Sequence, residues 1–182
     1  MMKLLKTTLL AGALAASGAA MAADLPLIAI PTLDTTRYTG TWYEVAKYPN
    51  VFQRKCVADT VAQYSAQPDG TIRVDNRCTQ KGGKVDQVIG AARQPAGPGS
   101  PKLKVRFAPA WLSKLPLVWA NYWVIDLDPG YTLAAVSEPK REYLWILART
   151  PHVAPPVYAA LLKRLAAQGF DTSKLVPTKQ GS

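Results

Sequence analysis

The sequence predicts an all-β fold: an eight-stranded antiparallel up-and-down β-barrel with one C-terminal α-helix packed on its wall. Three observations predict it. Short strand-like runs recur at even spacing, turn signals separate them, and a single helical pattern appears only after the last run. Eight strands in a meander can close on themselves and leave no exposed edge, which favours a barrel over an open sheet.

The eight runs either alternate polar with apolar residues or are apolar throughout, as expected for strands with one or both faces buried. Turn signals between them include Gln67 to Gly70, Gly82-Gly83, Gln94 to Pro101 and Asp128 to Gly130. The predicted strands cover about 40–48, 57–65, 71–78, 84–92, 102–108, 120–128, 131–136 and 143–149.

A helical pattern follows the last strand. Pro155 and Pro156 are placed to open a helix, and Gly169 is placed to end it, so we predict a helix over 155–168. Its apolar residues recur at the spacing of one helical face: Val157, Ala160, Leu161 and Leu165. So narrow a stripe is typical of a helix that packs on a barrel wall.

The first residues have the pattern of a secretory signal. Lys3 and Lys6 form a basic start, 7–16 is a short apolar run, and 20–22 is a small-x-small cleavage site. A retained membrane anchor is the alternative, but the run is shorter than the roughly 20 residues that span a bilayer. We therefore expect cleavage near Ala23.

This cleavage gives a signal peptide over 1–22 and one domain over 23–182, with the barrel at about 38–150. A bacterial lipoprotein carries a cysteine just after its signal, and the first cysteine here is Cys56. We expect an exported, soluble periplasmic protein without a lipid anchor.

The chain is basic, with 22 Lys and Arg against 12 Asp and Glu and a net charge of +10. Loss of Lys3 and Lys6 leaves 20 basic residues against 12 acidic ones, which is +8. The basic residues are scattered singly, with no dense run that would follow a phosphate backbone, so no nucleic-acid partner is predicted. Attraction to anionic lipid surfaces or acidic ligands and simple solubility remain the two interpretations.

Two cysteines in an exported chain predict a disulfide between Cys56 and Cys78. The turn signal at 67–70 lies between them, so both sulfurs fall at the far end of one hairpin. A reactive or metal-binding thiol pair is the alternative, and no neighbouring histidine supports it.

The segment 109–119 is rich in bulky apolar side chains, and two prolines make it a loop. In an up-and-down barrel it shares one end with 49–56, 79–83 and 137–142, while 67–70, 93–101 and 128–131 share the other. We expect this loop to rim the barrel mouth and to touch a membrane surface through Trp111, Leu112, Leu115, Leu117 and Trp119. The alternatives are a loop that plugs the barrel and a homodimer interface.

Two stretches resemble the motifs of the lipocalins, which are eight-stranded ligand-binding barrels. Tyr38 to Glu44 contains their G-x-W signature, and Tyr143 to Pro151 is similar to their third motif. The middle motif, Ile125 to Tyr131, departs from the usual T-D-Y. The resemblance implies that Arg149 lies across Trp42 and closes the barrel base, with Gly40 as the third residue of this base motif.

The resemblance runs from about Leu33 to Gln180 and is closest to the bacterial branch of the family. It implies binding of fatty acids and lysophospholipids and a role in envelope maintenance, commonly as an outer-membrane lipoprotein. The missing lipoprotein cysteine puts the membrane attachment in question and leaves lipid binding intact.

Alternate strand residues point inward, so if Trp42 faces the interior then Glu44, Ala46 and Tyr48 share its side. The last strand offers either Tyr143, Trp145 and Leu147 or the opposite set, and Tyr122 and Trp123 must point opposite ways. The candidate ligand-binding residues are Glu44, Tyr48, Phe52, Arg106, Trp111, Trp119, Tyr122, Trp123, Tyr143 and Trp145. Ordinary filling of the barrel by side chains is the alternative for each aromatic residue.

Catalytic motifs are missing from the sequence. The only histidine, His152, has no Ser or Cys motif near it, and no zinc-spaced Cys/His set is present. We expect no enzyme, no metal and no cofactor. A lipocalin-fold isomerase or de-epoxidase, with Glu44 as an acid, and a binder of a pigment, haem or siderophore are the alternatives.

Overall fold

The structure, a computed structural model, describes residues 26–181. Its strands are β1 (Gly40–Lys47), β2 (Cys56–Ala66), β3 (Ile72–Gln80), β4 (Val85–Arg93), β5 (Lys102–Arg106), β6 (Ala120–Leu127), β7 (Leu133–Ser137), β8 (Leu144–Ala148) and β9 (Val176–Pro177). Its α-helices are α1 (Thr35–Tyr38) and α2 (Pro155–Ala167). Short 3-10 turns cover Lys81–Gly83, Ala110–Leu112, Pro116–Val118 and Thr172–Lys174. The predicted signal peptide, 1–22, lies outside the described residues.

Strands β1 to β8 form one closed antiparallel barrel, because β8 pairs with β1 and β1 pairs with β2. The predicted eight-stranded up-and-down barrel is confirmed, and β9 adds a short extra strand on β1. The connections alternate between two ends. We call one end the mouth, formed by the loops 48–55, 81–84, 107–119 and 138–143, and the opposite end the base.

A β-bulge changes the inward face halfway along β1. Glu44 pairs with Leu147 and Ala46 pairs with Ile146, so Val45 is an extra residue in β1. One extra residue moves every later side chain to the other face of the sheet. The prediction that Ala46 and Tyr48 share the face of Trp42 is therefore wrong.

Beyond the bulge, Ala46 and Tyr48 pack on the outer wall, in the apolar cluster that also holds residues of α2. Lys47 takes the inward position, opposite Trp145. The Tyr48 hydroxyl donates to the carbonyl of Asp171 at 2.9 Å, and its ring meets Phe170 edge-on.

The C-terminal tail fills the gap between the mouth halves of β1 and β2. β9 pairs with β1 at Lys47, and the backbone N–H of Asp59 donates to the carbonyl of Lys179 at 2.8 Å. The Gln180 side chain donates to the carbonyls of Glu44 and Thr60 at 2.8 and 3.0 Å. The tail thus completes the barrel wall where β1 and β2 diverge.

Helix α2 packs against the barrel wall as predicted. Leu161 and Leu165 are fully buried, whereas Val157 and Ala160 of the predicted face are exposed. The buried face continues through the half-buried Tyr158 and Leu162 instead, one step around the helix. None of the helices in residues 26–181 has the length and apolar character needed to cross a membrane.

A disulfide joins Cys56 and Cys78 at the mouth ends of β2 and β3, with the Cα atoms 5.6 Å apart. The predicted pairing is confirmed. A closed loop of 22 residues contributes about 3 kcal/mol in the chain-entropy description. The cross-link therefore ties together the mouth ends of two strands that bulges distort.

Candidate ligand-binding calyx

Arg149 and Trp42 close the base of the barrel. The guanidinium carbon lies 3.9 Å from the centre of the Trp42 ring, and Trp42 is fully buried. The same guanidinium donates to the carbonyls of Arg37, Thr39 and Thr41 at 2.7, 2.8 and 2.9 Å. One side chain thereby ties the entry segment of β1 to the end of β8.

Gly40 makes room for this arrangement. Its φ of +100° is unfavourable for other residues, and a Cβ atom there would lie 3.1 Å from Nη1 of Arg149. The indole N–H of Trp42 donates to the carbonyl of Tyr38 at 2.8 Å. Glycine, tryptophan and arginine of the two motifs therefore meet at one point.

Three tyrosines form the floor above this base. The hydroxyl of Tyr122 lies 2.9 Å from that of Tyr38 and 3.1 Å from that of Tyr64. Burial raises the pKa of Tyr64 to about 12, and it also raises the pKa of Tyr38 and of Tyr122 above the ordinary value. The floor therefore stays uncharged at physiological pH.

Glu44 is the centre of a polar cluster on the side wall, only 2% exposed. Its carboxylate accepts from Lys47 at 2.8 Å, from Gln53 at 2.5 Å and from the Thr178 hydroxyl at 2.5 Å. Gln53 in turn accepts from the indole N–H of Trp145 at 2.8 Å. Both oxygens of Glu44 are engaged, which supports an orienting role rather than that of a free acid.

A row of aromatic rings leads from the mouth towards this cluster. The Phe52 and Tyr143 ring centres lie 5.6 Å apart, and Tyr143 stacks on Trp145 at 5.7 Å. Phe52 is largely exposed, and Trp145 packs against the interior core. Tyr143, Trp145 and Leu147 are thus the inward set of the last strand.

Phe107 is an inward residue that is missing from the predicted ligand-binding set. A Cβ atom on Gly90 would lie 2.6 Å from the Phe107 ring, so the ring rests directly on that glycine. Gly90 pairs with Val74, whose side chain belongs to the interior core. Val105 also lies on the interior side, and Phe107 follows it by two residues. The alternation of side chains along a strand therefore predicts an inward Phe107.

Arg106 and Trp119 lie on the outer wall, not in the interior. Arg106 pairs with Ala91, one step out of phase with the inward Val105. The Trp119 ring lies 4.1 Å from the guanidinium carbon of Arg93 and 5.3 Å from that of Arg106. These cations hold the C-terminal end of the apolar loop 109–119 against the outside of the barrel. The predictions that Arg106 and Trp119 contact a ligand in the interior are therefore wrong.

Trp123 is also on the outer wall, and Tyr122 is the inward residue of that pair. Tyr122 pairs with Leu103, which belongs to the interior core, so Trp123 and its partner Lys102 face outward. The Lys102 ammonium lies 4.2 Å from the Trp123 ring centre. Direct cross-strand partners share a face of the sheet, so the strand pairing decides which of the two aromatic residues points inward, a question that the sequence left open.

The mouth exposes bulky apolar side chains to solvent. Trp111 is 79% exposed and Leu117 is 99% exposed, both in the predicted loop. Within residues 26–181, the mouth half of β4 pairs only with β3, so its other edge carries no strand. The inward Val88 is consequently exposed to solvent.

A closed antiparallel barrel with a capped base, an aromatic entrance and a polar side wall belongs to the class that binds small hydrophobic molecules. A family model for a lipocalin-like domain matches residues 33–180. The chain therefore belongs to the lipocalin family, which confirms the resemblance in its motifs.

Curated relatives support the same assignment. The chain is 43% identical to temperature-induced lipocalin-1 of Arabidopsis thaliana over 151 residues, covering 81% of this chain and 80% of that one. It is 35% identical to the outer membrane lipoprotein Blc of Escherichia coli K12, covering 83% and 81%. It is 30% identical to apolipoprotein D of Mus musculus, covering 82% and 78%.

Solved structures show the same fold at low identity. Insecticyanin from Manduca sexta superposes with a TM-score of 0.64 at 18% identity, covering 85% of this chain and 84% of that one. Lobster apocrustacyanin A1 gives 0.63 at 18% identity, covering 82% and 81%. These similarities establish the barrel and nothing about its ligand.

Proposed function

We propose that this protein is a non-enzymatic carrier or store of single-chain lipids, fatty acids and lysophospholipids, and that it supports the cell envelope from the periplasm. The observation that carries the proposal is the continuous aromatic path from the exposed Phe52 through Tyr143 to Trp145. An acyl chain gains from burial against such rings, since apolar burial supplies about 25 cal/mol per Å².

The mouth supports uptake from a membrane surface. Trp111, Leu115 and Leu117 are all more than half exposed on one loop, an arrangement that suits insertion among lipid headgroups. Exposed cations stand on the same rim, and they attract anionic lipid: Arg54, Lys55, Lys81, Lys84 and Lys114.

The proposed compartment rests on three further points. The first residues have the pattern of a secretory signal, and the relative Blc of Escherichia coli is named an outer membrane lipoprotein. The disulfide between Cys56 and Cys78 suits an oxidising compartment. Together they favour the periplasm, with contact at the outer membrane through the mouth.

Binding of a fluorescent fatty acid to residues 23–182 tests the proposal. Val88 and Ile89 are neighbours with similar exposure, 45% and 48%, on opposite faces of β4. Val88→Trp fills the interior and should weaken binding at least about tenfold, a loss of about 1.4 kcal/mol. The control Ile89→Trp places the same bulk outside and should leave binding unchanged. Equal effects of the two variants would contradict binding in the calyx.

A further inference from the structure

The interior of the barrel holds almost no free positive charge. Among the inward strand positions of residues 26–181, Lys47 is the only Lys or Arg, and its ammonium lies 2.8 Å from the Glu44 carboxylate. Asp86 pairs with Cys78 on the same inward face near the mouth. Asp86 is exposed at the mouth, so these inward strand positions hold one largely buried cation, already paired with one buried carboxylate, and no spare positive charge.

This charge balance disfavours a ligand whose buried head is a carboxylate. Such a head loses its hydration, and the ammonium that would compensate it is already paired with Glu44. Any carboxylate close to Lys47 also lies close to Glu44, and like charges repel strongly where water is scarce. An uncharged head avoids both costs.

Two polar atoms of the same wall are buried without a hydrogen-bond partner within residues 26–181: the Thr60 hydroxyl and the Asn76 side-chain carbonyl. Thr60, Ala62 and Tyr64 are the alternating buried residues of β2, and Asn76 pairs with Ala62. Thr60 and Asn76 are therefore diagonal neighbours on one face of the sheet, a position in which the Cα atoms of two residues lie about 7–8 Å apart.

The two atoms need a ligand that both donates and accepts hydrogen bonds. A hydroxyl group donates to the Asn76 carbonyl and exchanges a hydrogen bond with Thr60, whereas an ionised carboxylate only accepts. A buried polar atom left without a partner is unfavourable, so a ligand that supplies the partner binds more tightly.

From these observations we propose that the β1–β3 wall is a head-group subsite, formed by Lys47, Thr60 and Asn76 beside Glu44, which selects single-chain lipids with an uncharged, hydroxyl-bearing head over free fatty acids. The inference rests on the proposed lipid-binding function and narrows it. The specificity comes from polar pairing on this wall, while the aromatic path accepts any acyl chain.

Competition between two lipids of one chain length tests the subsite. Laurate and 1-monolauroylglycerol are titrated at pH 8, below their aggregation concentrations, against a fluorescent probe bound to residues 23–182. We expect 1-monolauroylglycerol to displace the probe at about one tenth of the laurate concentration. Equal or tighter binding of laurate would overturn the subsite and leave the carrier function standing. Failure of both lipids and of the probe to bind would overturn both proposals.

Variants localise the preference. Thr60→Val and Asn76→Leu should each weaken 1-monolauroylglycerol several-fold and leave laurate unchanged, and Thr60→Ser should restore the preference. Ser65 lies on the outer face of β2, opposite Arg73, so Ser65→Ala serves as the control. A thermal melt shows that each variant is folded. A preference that survives in folded Thr60→Val and Asn76→Leu would place the selectivity elsewhere and refute the assignment.

Discussion

The guanidinium of Arg149 stacks on the ring of Trp42 at 3.9 Å and donates hydrogen bonds to three carbonyls, two in the segment before β1 and one at its start. This contact joins the two ends of the barrel sequence at the base. It closes the calyx from below, so we expect a ligand to enter through the mouth.

Arg149→Leu should lower the free energy of unfolding by about 2–4 kcal/mol, because the base loses its cation–π contact and leaves the three carbonyls without this donor. Urea denaturation measures the change. Lys84→Leu, which removes an exposed cation at the mouth, is the control and should change stability by less than about 0.5 kcal/mol. A similar loss in both variants would show that the base contact is not special.

Gly40→Ala should also destabilise the base. The backbone has φ of +100°, and the new Cβ atom would meet Arg149 Nη1 at 3.1 Å. Gly82 has φ of +82° with open space around it, so Gly82→Ala carries the backbone cost alone, about 1 kcal/mol. Thermal unfolding of the two variants separates the cost of crowding Arg149 from the cost of the backbone conformation. An equal loss of stability in both variants would mean that crowding against Arg149 contributes nothing.

The tyrosine floor predicts a fall in stability at alkaline pH. Burial raises the folded-state pKa of Tyr64 to about 12, above the value near 10 of the unfolded chain, so the native state holds its proton more tightly. The stabilisation is complete below about pH 10 and is lost as the pH rises towards 12.

Absorbance titration of the phenols measures this effect. In the folded protein, Tyr38, Tyr64 and Tyr122 should remain protonated at pH 10.5, roughly half a unit above the ordinary tyrosine pKa, and they should ionise in urea. Tyr122→Phe should remove one of these late-titrating groups. Normal titration of all tyrosines in the folded protein would contradict the buried floor.

The exposed mouth loop predicts membrane-dependent uptake. Trp111→Ser combined with Leu115→Ser should slow lipid uptake from vesicles that contain anionic phospholipid, while the melting temperature changes little because both side chains are exposed. Val157→Ser, an exposed apolar site on α2, is the control. Added salt should slow uptake by the unmodified protein, since the rim cations are screened. Unchanged uptake by the double variant would contradict docking through this loop.

The strand order, the helix, the disulfide and the sorting of loops could be predicted because each depends on patterns local in sequence. The faces of single strands were harder. Val45 and Ala46 are both apolar, and the outer wall under α2 is as apolar as the interior, so nothing in β1 marks the bulge. Tyr48 was consequently placed inside.

The polar cluster around Glu44 could be predicted only in part. Glu44 is recognisable as a carboxylate in an apolar strand. Its partner Thr178 lies in the C-terminal tail, and no local pattern predicts that the tail packs on β1. The apolar character of the loop 109–119 predicts Trp119 at the mouth. Its ring lies outside because Arg93 offers a stacking partner there, a contact that requires the strand register.

Native mass spectrometry of the protein purified from the periplasm shows whether it carries a lipid. We expect one single-chain lipid per chain, released on unfolding and replaced on addition of a lipid of another chain length. A folded protein that carries no lipid and takes up none from solution or from vesicles would contradict the carrier function.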